Sequence, residues 1–211
     1  MGVRAGVAAA LAALVIGCSS GDKQAGTAGG PSGMADRIAR VDPAQFDLTG
    51  RPVALAGMTF QPPAAWVDLG PSGMRQASYY LRPVGGDADS ATVTVFYFGP
   101  GGGGSVAANI DRWIGQMATG EKDNPSERAE RSSLQADSLP VHVISVGGTY
   151  SGAMGGPMGG GGEAHADYRM VAAVIEAPEG NVFFKLTGPE KTAVEMQSGF
   201  FAMLKSVKRA G

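Results

Sequence analysis

The chain has 211 residues, with 17 Lys and Arg against 19 Asp and Glu, a formal charge of −2 and 44% hydrophobic residues. That length suits one domain with a real core. The charge balance excludes a nucleic-acid surface, which needs clustered bases, and a lone cysteine, Cys18, excludes a disulfide framework.

In chain order, the first feature is a leader. Arg4 precedes an almost unbroken apolar run from Gly6 to Ile16, too short to span a bilayer and shaped like a secretory signal peptide. Its end, Val15-Ile16-Gly17-Cys18, resembles a bacterial lipobox. That resemblance implies a signal peptide over 1–17 and a lipidated Cys18 as the first mature residue. It also explains an unpaired cysteine in an exported protein. At about 0.8 kcal/mol per buried methylene, one acyl chain anchors only marginally, and two or three anchor stably. Residues 18–33, the lipidated N-terminus with its Ser- and Gly-rich continuation, read as a flexible tether. Ser19, where many inner-membrane lipoproteins carry Asp, favours the outer membrane.

Residues 34–56, punctuated by Pro43 and Pro52, read as an irregular lead-in, and 57–208 as a single domain. Strands are expected at 58–61, 74–81 and 91–98, with a Pro62-Pro63 turn before Trp66 and a Gly85-Gly86-Asp87 turn. After the glycines of 99–104, Ser105 is a good N-cap. Val106, Ile110, Trp113, Ile114 and Met117 then share one helical face. Residues 119–128 read as a solvated loop and 139–150 as a strand, and 168–177 with 181–187 form a hairpin across Pro178-Glu179-Gly180. A last helix begins at Pro189, with Ala193, Met196, Phe200, Leu204 and Val207 inward and Lys205, Lys208 and Arg209 in its final turn. Gly199 inside it costs about 1 kcal/mol relative to Ala, which implies close packing there. The whole reads as α+β, an antiparallel β-sheet flanked by two amphipathic helices.

Met58-Thr-Phe-x-x-Pro-x-x-Trp66, Met74-Arg75 and Tyr79-Tyr80-Leu81 resemble the start of a PsbP-like domain. Tyr97-Phe98-Gly99, Asn109-x-x-Arg112-Trp113-x-x-Gln116 and Lys185-Leu-Thr-Gly-Pro189 resemble blocks shared by uncharacterised bacterial exported proteins. The resemblance covers roughly 57–207. It implies an α/β/α sandwich and a non-enzymatic accessory role, while the fold alone supplies no function.

No segment carries a complete catalytic motif. The glycines before Ser105 lack the Lys and Ser/Thr of a P-loop and sit in an antiparallel context. Met154, Met158 and His165 in the glycine-rich stretch 152–165 offer Cu(I)-type ligands, at a large entropy cost for ordering glycine-rich chain. His142, with no nucleophile motif beside it, is simplest as a strand residue. The binding surface expected is Asn109, Arg112 and Gln116 on one polar helix face, joined by Lys185, a charge that must turn from the core or be paired. The plainer reading pairs Arg112 with Asp111 or Glu121 on a solvated face.

The function expected is a lipid-anchored, non-catalytic accessory or binding protein of the cell envelope. It is held to the membrane through Cys18, with a possible envelope protein partner, no nucleic acid, no cofactor and no metal. The alternative is a small-ligand or metal-binding carrier using the glycine-rich loops.

Overall fold

The computed structural model describes residues 1–2, 33–118, 123–151 and 164–210. All elements lie in the second of the chain's two units, Ser32–Gly211. Cys18, the leader and most of the tether, along with Glu121, Met154 and Met158, fall outside the described residues.

The elements are α1 (Met34–Arg40), β1 (Val53–Leu55), β2 (Met58–Phe60), β3 (Val67–Asp68), β4 (Arg75–Leu81), β5 (Ala91–Tyr97), α2 (Val106–Gly115), β6 (Glu130–Ala136), β7 (Leu139–Ser151), β8 (Ala164–Ala177), β9 (Gly180–Pro189), α3 (Glu190–Lys205) and β10 (Lys208–Arg209). Seven strands make one sheet in the order β3-β4-β5-β9-β8-β7-β6, antiparallel at every neighbour. Strands β1, β2 and β10 form a second, small sheet. The architecture is α+β, as expected.

Period-two alternation divides the large sheet between two cores. On one face Tyr79, Val93, Val95, Val143, Ala173, Phe184 and Leu186 pack with Ile38, Phe60, Trp66, Phe200, Phe201 and Leu204. On the other, Ile144, Val146, Met170, Val174 and Phe183 pack with Trp113 and Ile114 of α2 and with Met117 just past its end. The helices therefore lie on opposite faces. The α2 stripe is laid down as its spacing predicts, with Ser105 accepting from the Ala108 amide at 3.2 Å. Trp113 meets Phe183 edge-on at 6.2 Å.

Three expectations are corrected. Residues 34–56 are only partly irregular: α1 buries Met34 and Ile38 in the first core, and β1 turns into β2 through Ala56 and Gly57, both at positive φ. Lys208 and Arg209 are not helical. Helix α3 ends at Lys205, and β10 pairs with β2, because Val207 is drawn into the core. Pro189 belongs to β9 and stands at the N-cap of α3 rather than inside it. The Asp87 carboxylate caps that helix from afar, accepting from the Thr192 amide and hydroxyl at 2.8 Å each. Strand β6 has no counterpart in the sequence reading. It is a polar edge strand joined to β7 by Asp137 and Ser138, both at positive φ.

Gly199 faces Trp66, Pro63 and Phe46. A Cβ there would meet them at 3.4 to 3.9 Å, ordinary contact distances. Gly199→Ala should therefore stabilise the fold by about 0.4–1 kcal/mol, chiefly by narrowing the unfolded ensemble. Urea denaturation measures it, and a loss of stability would mean that Trp66 packs closer than described.

Candidate functional site

Helix α2 covers only part of its face of the sheet. Beyond it, the side chains of β5 and β9 that alternate away from the apolar core are Thr92, Thr94, Lys185 and Thr187, adjacent across the register. Ser78 of β4 lies opposite Thr94 on the same face. This polar floor belongs to a cleft of about 300 Å³, at the lower end of small-molecule site volumes. Arg75, Phe96, Tyr150, His165 and Tyr168 complete its lining with Ser90. Tyr150 stacks parallel to Tyr168 at 6.3 Å, and His165 lies on Tyr168 at 4.9 Å, making one aromatic wall.

Lys185 is the centre of the site. Its strand neighbours Phe184 and Leu186 are fully buried in the first core, so alternation sends the lysine to the α2 face. There Nζ donates to Gln116 Oε1 at 3.2 Å and to the Tyr150 hydroxyl at 3.1 Å. The ammonium is 5.0 Å from the Tyr150 ring centroid but much nearer its oxygen. The contact is thus a hydrogen bond at the ring's rim, not a cation over its face. Burial, then the charges of Arg112 and Arg75, pull the Lys185 pKa down to about 8. Among the described residues no carboxylate pairs with Lys185, Arg112 or Arg75. Burial raises the Tyr150 pKa, with Arg75 opposing, so Tyr150 acts as a neutral hydroxyl near pH 7.

The four residues expected as a binding surface divide in two. Gln116 and Lys185 are brought into contact, with Arg112 beside them. Asn109 is instead buried beneath the surface: its amide donates to Gly103 O at 2.7 Å and Ser105 O at 2.9 Å, and its oxygen accepts from Arg112 at 2.6 Å. Asn109 thereby pins the glycine-rich turn, where Gly103, at φ +81°, leaves room for the Phe183 ring that any Cβ would strike. The turn is a packing device, with Gly104 O engaged by Asn181 at 3.3 Å. Among the described residues Arg112 forms no ion pair, and its bond to Asn109 is to a neutral acceptor. His142 pairs with Glu176 at 2.6 Å in an exposed position remote from the cleft lining.

Arg75, Tyr150, Tyr168 and the threonines were not singled out from the sequence. The signal lay in Thr92-Val-Thr94-Val and Lys185-Leu-Thr187: two strands whose alternate positions are polar imply a sheet face not fully covered by apolar groups.

A second, wider hollow of about 700 Å³ is lined by Arg128, Arg169, Glu190 and Asp167 among others. Its bases are engaged, Arg169 with Glu190 at 2.7 Å and Arg128 with Asp123 at 2.6 Å. The Arg169–Glu190 pair ties β8 to α3.

No helix among the described residues is long and apolar enough to cross a membrane. No family model matches the chain, and no curated protein does. Among solved structures, the fold is similar to cyanobacterial PsbP (CyanoP) from Synechocystis sp. PCC 6803. The TM-score is 0.42 and the identity 12%, over 75% of this chain and 91% of that one. It is also similar to LpqN, involved in cell envelope biogenesis of Mycobacterium tuberculosis, with TM-score 0.43 and 13% identity over 85% and 98% of the two chains.

Proposed function

We propose that the protein is a non-catalytic binding protein of the cell envelope, anchored through lipidated Cys18, whose working part is the cleft beside α2. The observation that carries this reading is an aromatic-walled cleft lined by Arg75 and Lys185, with Lys185 also in the field of Arg112 and none of the three paired with a carboxylate among the described residues. Exposed cations carry their own hydration. A desolvated lysine flanked by two arginines is held at a cost that a ligand relieves. Thr, Lys and Tyr donors on a rigid sheet face provide the few fixed polar groups that orient a small molecule, and Phe96 with the tyrosine wall provides the apolar surface. The carrier alternative would use this sheet face for a small ligand. A metal ion at His165 would sit in the field of Arg75 and Lys185, which disfavours it.

The test is to isolate the full-length protein from its membranes, denature it and identify co-purifying small molecules by mass spectrometry, beside Lys185→Met and Cys18→Ala. A stoichiometric compound lost in Lys185→Met, together with release of Cys18→Ala from the membrane fraction, supports the proposal. An unchanged compound in Lys185→Met places binding on another face, and Cys18→Ala remaining membrane-bound overturns the anchor.

A further inference from the structure

We infer that the cleft takes a small organic oxyanion, its charged group held at Lys185 between Arg75 and Arg112 and its planar body against the Tyr150–Tyr168–His165 wall. This rests on the proposal that the cleft is a binding site and names the class of its ligand.

Four arginines pair with carboxylates: Arg51 with Asp68, Arg128 with Asp123, Arg169 with Glu190 and Arg37 with Glu130. Arg40, Arg82, Arg131, Lys208 and Arg209 form no such pair but are exposed, whereas Lys185 at the cleft is partly buried. Among the described residues nothing hydrogen-bonds or pairs with the Arg75 guanidinium, Arg112 meets only the neutral Asn109, and Lys185 meets only the neutral Gln116 and Tyr150. An ammonium has three donors, so Lys185 keeps one for a ligand.

Beneath the same floor, the Ser78 and Thr187 hydroxyl oxygens are buried without a hydrogen-bond partner. Native structures rarely leave such groups unmet. Thr187 lines the cleft two residues along β9 from Lys185, so its unmet hydroxyl is a donor available on that side.

The far end has the opposite sign, because the Tyr168 hydroxyl donates to Asp89 at 3.2 Å. An anion is repelled from that end and drawn to the Lys185 end, which fixes its direction along the aromatic wall. The groups facing Lys185 are Arg75 from β4, Thr94 from β5, Arg112 and Gln116 from α2, Tyr150 from β7, and His165 and Tyr168 from β8. An anion there restores the ammonium toward the ordinary lysine range. Binding and protonation are then linked: affinity falls as pH rises above about 8, by up to about tenfold per unit.

The test titrates the full-length protein, solubilised from membranes, with benzoate, phenyl phosphate, inorganic phosphate and neutral benzamide by calorimetry at pH 7 and pH 9.5. Benzoate or phenyl phosphate should bind at least about tenfold tighter than benzamide, and Lys185→Met should weaken them about 10- to 100-fold, as expected for a lost charge-assisted bond. Arg112→Gln, on the exposed side of α2, should weaken them about threefold and serves if the first variant folds poorly. Equal affinity for benzamide, or no fall between pH 7 and 9.5, overturns the anion while leaving a binding cleft. Inorganic phosphate binding as tightly as phenyl phosphate overturns the planar body. No binding by any of the four probes overturns the inference.

Discussion

Lys185→Met is expected to raise the stability of the ligand-free protein at pH 7 by about 1–3 kcal/mol, an uncommon sign for a substitution in a central strand. The lysine's folded pKa is depressed to about 8 from 10.5, mainly by burial and then by Arg112 and Arg75. Between those values the unfolded chain binds more protons than the folded one, so wild-type stability rises with pH across that window. Below about pH 8 both states are protonated and the full cost of the buried charge is felt. From pH 8 to pH 10 the wild type should gain up to about 2.7 kcal/mol, at about 1.36 kcal/mol per unit, whereas the methionine variant should show no such rise. Above pH 10 the order reverses. Tyr79 is raised to about 12 by burial and the nearby Asp68, and its contribution, full below pH 10, is lost as pH climbs through 12. Urea titrations of both proteins from pH 7 to 10 decide the matter. A constant difference between them would mean that Lys185 carries no buried charge. Paired with lost anion binding, a stability gain would mark Lys185 as a residue kept for function.

Phe184→Ala should cost about 3–5 kcal/mol, a large share of the 5–15 kcal/mol typical of a domain. Phe184 is fully buried at the middle of β9 and meets Phe60 edge-on at 5.0 Å. Its cross-strand neighbours are Val95 and Ala173, and Ala173 is too small to fill the space a lost ring would leave. Phe60 belongs to the small sheet, so the cavity would also loosen the contact through which β1, β2 and β10 dock on the large one. Thermal and urea denaturation measure the loss. A cost below about 1.5 kcal/mol would show that the two sheets do not share the core described, since a buried Phe truncation that cheap requires full collapse of its site.

The residues that announced themselves in the sequence did so through local rules. Trp113 and Ile114 recur at helical spacing, Ser105 is a cap, and the turn at Pro178-Glu179 joins two alternating strands. Each depends on neighbours a few positions away, and each is found where its pattern puts it. Strand β6 was missed because its residues, Glu130-Arg-Ser-Ser-Leu-Gln-Ala136, are mostly polar, as suits an edge. The short helix that Met34 to Val41 could make does not stand on its own spacing, since seven residues form no stable helix alone; its stability comes from burying Met34 and Ile38. Asn109 looked like surface because spacing fixes a helical azimuth but not what lies against it. The glycine-rich turn folds over that position.

By itself, then, the chain's order of residues determined the longer strands and the α2 and α3 helices, the antiparallel α+β class and the alternation that sends Lys185 away from Phe184 and Leu186. Only the tertiary structure decided what the lysine meets there. Strand β9 inserts between β5 and β8, which sets Lys185 opposite Thr94, within the field of Arg75 from β4 and Arg112 from α2. Periodicity of two or 3.6 residues specifies a face. Which distant charges share that face depends on strand order and register, which are fixed by packing the whole sheet between two cores.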